Sequence, residues 1–236
     1  MNEINKPVAV VAGAGPGNGA ALARRFARAG YRVALLARDK AHMLALAAEI
    51  HDAVPIACDV GDSDSVQTAF TQIGTELGPV ETLLYNAGSG VFADVEEISA
   101  AQFEAAWRVN AYGALLCAKR VIPLMKSKRA GNIIFIGATA SRRGGIKTAA
   151  FAPAKAAQRS LAESMARKLW PYGIHVALII IDGVVDLPTT RAAMPNKPDD
   201  AFVDSAGVAE TAFQLTQQSR RAWSFEVEAR PYTETW

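Results

Sequence analysis

The sequence predicts an α/β fold: a doubly wound parallel sheet flanked by helices on both faces. Three observations predict it. Short apolar runs bounded by turn residues recur along the chain, as suits strands buried on both sides. Longer helical patterns separate the runs, and that alternation makes parallel βαβ units with right-handed crossovers. A glycine cluster joins the first run to the first helical stretch.

The elements follow in order. A strand is expected over residues 8–12, ending in glycines, and a helix over 20–29. A second strand over 32–36 leads to a helix over 40–51, and a third over 55–58 to a helix over 63–76 opened by a polar cap. Strands over 82–85, 133–136 and 175–181 are separated by long helical stretches over 101–127 and 152–169. Segment 184–205 is rich in Pro, Asp and Thr and is the least regular part. After a late strand, such a segment reads as a substrate lid. A last strand is expected over 223–229, and Trp236 at the end of the tail is expected to pack at a subunit interface. No repeat or linker divides the chain, so residues 1–236 read as one domain.

Half of the residues are hydrophobic, enough for a large core, and the net charge of +2 is too mild to argue for nucleic acid. Cys58 and Cys117 match no metal-ligand spacing and are expected as reduced, buried thiols, so no metal is expected. The first residues lack the apolar core of a signal peptide, and the longest apolar run, 176–181, is too short to cross a bilayer. A soluble cytoplasmic protein without membrane partners is the expectation.

The first strand runs into Gly13-Ala14-Gly15-Pro16-Gly17-Asn18-Gly19. Glycines there permit a sharp turn and a close backbone approach to a pyrophosphate. The helix that follows offers free N–H groups and a partial positive charge to the anion. The spacing of Gly13, Gly17 and Gly19 resembles the glycine turn of the short-chain dehydrogenase/reductase family, though that turn usually begins with Thr where this chain has Ala12. Later motifs follow in order over nearly the whole chain.

The resemblance implies a Rossmann-type domain and a nicotinamide dinucleotide. An acidic residue ending the second strand would bond the ribose 2′-hydroxyl of NAD. This chain has Ala37 there, then Arg38, which favours the 2′-phosphate of NADP(H). Asp59 matches the family's adenine-contacting aspartate, with a helix cap as the alternative. Asn86-Ala87-Gly88 matches the family's turn after the fourth strand, and Gly183 the glycine after the sixth.

The family's proton chemistry uses a tyrosine, a lysine four residues later, a serine and an asparagine. Here Lys155 and Asn110 match, but Phe151 stands at the tyrosine position and Ala138 at the serine position. Phenylalanine donates no proton and alanine no hydrogen bond. Substitute donors are ranked with Lys155 and Tyr85 first; Tyr112, Thr139 and Ser141 are further candidates. Asp182 replaces a family proline and reads as a turn-initiating aspartate, with a new role beside the nicotinamide as the alternative, and Leu187 falls near a family threonine for which Thr189 and Thr190 could compensate. His42, His51 and His175 form no cluster and are given no catalytic role. The expectation is an NADP(H)-dependent oxidoreductase for a small carbonyl or alcohol substrate, with a replaced proton relay. The alternative is a dinucleotide-binding protein without redox turnover: a sensor, a scaffold or a non-redox lyase or isomerase. Family members pair through long helices, so a homodimer or homotetramer is expected.

Overall fold

The apolar runs become strands in the computed structural model, which describes residues 6–234. They are β1 Val8–Ala12, β2 Arg32–Ala37, β3 Ala53–Ala57, β4 Val80–Tyr85, β5 Gly131–Ala138, β6 Ile174–Ile181, the short β7 Val184–Val185 and β8 Phe202–Val203, and β9 Glu226–Ala229. Seven of them form one sheet in the order β3-β2-β1-β4-β5-β6-β9. Every neighbouring pair is parallel. The helices are α1 Asn18–Arg28, α2 Lys40–Glu49, α3 Ser63–Glu76, α4 Ala100–Trp107, α5 Gly113–Lys128, α6 Phe151–Leu169, α7 Pro188–Ala193 and α8 Ser205–Gln217.

Strand periodicity sorts the core into two layers. Val8, Val10 and Ala12 of β1 face α3, α5 and α6, where Phe70, Val121 and Leu169 are buried. Ala9 and Val11 face α1, α2 and α8, where Phe26, Met43 and Val208 are buried. The strand order reverses between β1 and β4. In such sheets the crevice at the carboxyl ends of the reversing strands receives the ligand. Here that crevice lies between Gly13 and Asn86, and the Asn86 amide donates to the Ala12 carbonyl at 2.8 Å.

Three elements differ from the sequence expectation. The helix expected over 101–127 is interrupted by a π-helical turn, Arg108–Tyr112, between α4 and α5. Such a turn leaves the chain one residue out of step with the α-helical ladder, often at a functional site. The final strand begins at Glu226 rather than 223, because Trp223 instead stacks on the buried His175 ring at 4.8 Å. Segment 184–205 is more ordered than its composition implies: β7 and β8 pair in parallel around α7. Trp236 lies outside the described residues. Among those residues no helix is long and apolar enough to cross a membrane.

Gly113 sits where the π turn meets α5. A Cβ there would stand 2.5 Å from the Tyr85 hydroxyl and 2.6 Å from the Val60 carbonyl. In an open helix Gly→Ala stabilises by up to about 1 kcal/mol. At this position steric overlap reverses the sign. Gly113→Ala is expected to destabilise by about 1–3 kcal/mol, read as a lower urea midpoint at unchanged slope.

Candidate active site

The glycine turn has the geometry a pyrophosphate requires. Gly13 has φ +93°, and a Cβ on it would stand 2.5 Å from the Ala87 amide nitrogen. Gly19 has no room either, since a Cβ would strike the Gly13 carbonyl. Gly15 differs: no protein atom lies within 4 Å of its Cβ position. Its openness is therefore not a demand of folding and leaves ground for a ligand. Helix α1 begins without a side-chain cap and without an acid in its first turn, so its terminal N–H groups stay available to an anion. Asn18 is buried with Oδ1 lacking a donor, beside Gly17 at φ +82°.

From this turn an open cleft of about 510 Å³ runs along the carboxyl ends of β2, β3 and β4. Gly13, Gly15, Arg38, Asp59, Asn86 and Gly88 all line it. Arg38 is exposed, and its guanidinium makes no ion pair among the described residues. Asp59 accepts from the Gly61 amide at 2.9 Å. The cap of α3 is Asp62, which accepts from the Ser65 amide at 2.7 Å, so Asp59 is not the helix cap. Asn86 Nδ2 donates to the Gly13 carbonyl at 2.7 Å and ties the two turns together. Gly183 is not among the residues lining the cleft. Its φ of +151° and the packing of Pro231 and Val203 against it give it a structural reason instead.

Lys155 lies beyond Gly88, on the inward face of α6. Its Nζ donates to the Ile136 carbonyl at 2.8 Å and to Gln158 Oε1 at 3.2 Å. Gln158 Nε2 donates to the Asn110 carbonyl at 2.9 Å. Asn110 Nδ2 donates to the carbonyls of Ser89 and Ala106, while its buried Oδ1 meets no donor. From the Cβ position of Gly88, Asn110 Oδ1 is 3.4 Å away and Lys155 Nζ 3.8 Å. An unsatisfied acceptor and an amine beside a glycine fit the hydroxyl-rich ribose of a dinucleotide. Burial alone pushes the Lys155 ammonium down to about 7.

The geometry removes several substitute donors. Tyr85, ranked with Lys155 from sequence, is fully buried and donates its hydroxyl to the Val109 carbonyl at 2.5 Å. Burial pushes that phenol well above its ordinary range. It points into the core beside Gly113, not into the reaction centre, because alternation along β4 turns it toward α5. Tyr112 stacks on Trp107. Ser141 accepts from the Ala138 amide, and Thr139 donates to Asp182 at 2.5 Å. Thr190 bonds the carbonyls of Val185 and Leu187. Asp182 is more than a turn residue: it is buried, accepts from Thr139 and pairs with Arg230. The Thr139 hydroxyl and the Arg230 charge hold its carboxyl below the usual range. Phe151 leans on Phe92 with ring centroids 5.5 Å apart. Sequence reasoning missed Gln158 and Phe92. Gln158 carried a signal, since residues i and i+3 share a helix face.

Turn, cleft and buried lysine together define a nicotinamide-dinucleotide oxidoreductase scaffold. Comparison with known proteins agrees. The chain matches the short chain dehydrogenase family over residues 7–198 and belongs to it. It is 33% identical over 183 residues to the 3-oxoacyl-[acyl-carrier-protein] reductase MabA of Mycobacterium tuberculosis, covering 78% of this chain and 71% of that one. A metagenomic short-chain oxidoreductase in complex with NADP superposes with a TM-score of 0.84 at 27% identity, covering 99% of this chain and 100% of that one. A short-chain dehydrogenase from Rhodopseudomonas palustris superposes at 0.83 with 35% identity, covering 97% and 99%.

Lys155→Met tests the burial. The folded amine titrates near 7 against an ordinary value of 10.5, so its charge opposes folding fully below pH 7 and progressively less toward 10.5. The opposition is on the order of 4–5 kcal/mol before the amine's hydrogen bonds are subtracted. The variant is expected to unfold at higher temperature than wild type at pH 6, with the gain shrinking at pH 9.5, and to lose NADPH affinity. Thermal scans and calorimetry check both.

Proposed function

We propose that the chain transfers hydride between NADP(H) and a small carbonyl or alcohol compound, with Lys155 as the acid and base. The observation that carries this reading is the Lys155 amine, held beside Gly88 and lowered by burial to about 7, while the hydroxyls of Tyr85, Thr139 and Ser141 are committed elsewhere. NADP(H), when bound, supplies or accepts the hydride. The protein's part is to bind, orient and manage one proton. Gly13, Gly15, Gly17, Asn18 and Gly19 receive the pyrophosphate on the start of α1. Arg38 takes the 2′-phosphate, Asp59 the adenine, and Asn86, Gly88, Asn110 and Lys155 the nicotinamide half. Lys155 Nζ gives its proton to the substrate oxygen in reduction and takes one in oxidation. Phe151 and Phe92 make that end of the site apolar, which suits a substrate with hydrocarbon flanks. Segment 184–205 serves as the lid. Exposed Phe103, Trp107 and Leu124 on α4 and α5 support assembly as a homodimer or homotetramer, and two buried free thiols suit the cytoplasm.

Two measurements test the reading. Arg38→Ala is expected to weaken NADPH binding at least about tenfold by calorimetry while leaving NADH within twofold. Loss of NADPH absorbance against a panel of ketones and aldehydes should show turnover whose kcat/KM falls as pH rises through about 7, because reduction needs the protonated amine. Phe151→Tyr with Ala138→Ser should add about 10²-fold or more. Turnover in that double variant alone would assign the natural chain to nucleotide binding without redox chemistry.

A further inference from the structure

Gln158 has no solvent exposure and both ends of its carboxamide are engaged. One end accepts from Lys155 Nζ; the other donates to the Asn110 carbonyl, which belongs to the π-helical turn. The side chain therefore joins three elements at one point: α6, the π turn and, through Lys155, the Ile136 carbonyl of β5. The bond to Asn110 fixes the orientation of the amide. With Nε2 held as donor, Oε1 must face Lys155.

An amine bonded to two fixed oxygens has one tetrahedral direction left. Ile136 and Gln158 occupy the other two, and the Cβ position of Gly88 lies 3.8 Å from Nζ. Among the described residues no charged group is paired with the amine from α6, β5, the π turn or the 86–89 turn, and burial is what lowers it. In such a site a neutral acceptor at hydrogen-bond distance is the one feature that favours the charged form.

We propose that Gln158 is the positioning residue for Lys155: its carboxamide fixes where the amine points and how tightly it holds its titrating proton. This rests on the reading of Lys155 as acid and base, but its test does not. Full-length protein carrying ¹³Cε-lysine is titrated by NMR, with the Lys155 signal identified by its loss in Lys155→Met. Gln158→Glu puts a carboxylate at the acceptor position and should raise the midpoint by at least one pH unit. Gln158→Leu removes the acceptor and should lower it by half a unit or more. A merely structural glutamine would change unfolding temperature without moving the midpoint. Midpoints within 0.3 units of wild type in either folded variant overturn the proposal, as does a wild-type midpoint near that of free lysine. Should wild type show no turnover with any carbonyl, the functional reading fails while the titration still decides this one. Where turnover is seen, the pH profile of kcat/KM should move with the midpoint in Gln158→Glu.

Discussion

An amine withdrawn from water and held only by uncharged oxygens sets the terms for the whole reaction centre. Lys155 needs acceptors in fixed places, because a mobile partner could not hold an ammonium in the interior. The Ile136 carbonyl comes from the central sheet, and Gln158 is anchored by the π turn. That turn presents the Asn110 carbonyl to Gln158 and carries Asn110 to the edge of Gly88. A regular helix over the same residues would present neither group in the same place. The interruption between α4 and α5 is thus tied to the amine rather than an accident of packing.

The hydrocarbon side chains of Phe151 and Ala138 are matched by the arrangement of their neighbours. Phe151 finds a ring partner in Phe92. Ser141 folds back on the amide of Ala138, and Thr139 turns to Asp182. Both of these hydroxyls hold the ends of β5 and β6. Of the polar groups at this end, Lys155 is the one whose ammonium burial pushes down to about 7.

Much of the fold was legible because parallel strands buried on both faces leave unbroken apolar runs, as in Ile174–Ile181. The glycine turn was legible because Gly13, Gly17 and Gly19 each answer a backbone or space requirement that other residues do not meet. The π turn was not: its residues Arg108–Tyr112 continue a helical pattern, and a single-residue slip leaves no mark in composition. Tyr85 was misplaced because sequence gives the end of a strand but not which layer its side chain enters. Asp182 looked like a turn residue since its partner Arg230 is distant in sequence. Gln158 has the spacing to meet Lys155, but nothing in the sequence said that Asn110 would hold its other end.

The chain's last described residues act on the far side of the cleft. Arg230 pairs with Asp182, and Pro231 packs on Gly183. The Tyr232 hydroxyl donates to Asp200 at 2.6 Å, and Lys197 approaches Glu234 at 3.9 Å. Residues 230–234 thereby clasp segment 184–205 to the edge strand β9, whose Glu226 and Glu228 are themselves gripped by Arg142, with Arg159 also on Glu226. The edge strand and segment 184–205 are consequently braced through the same few residues, so a change in either bears on the other.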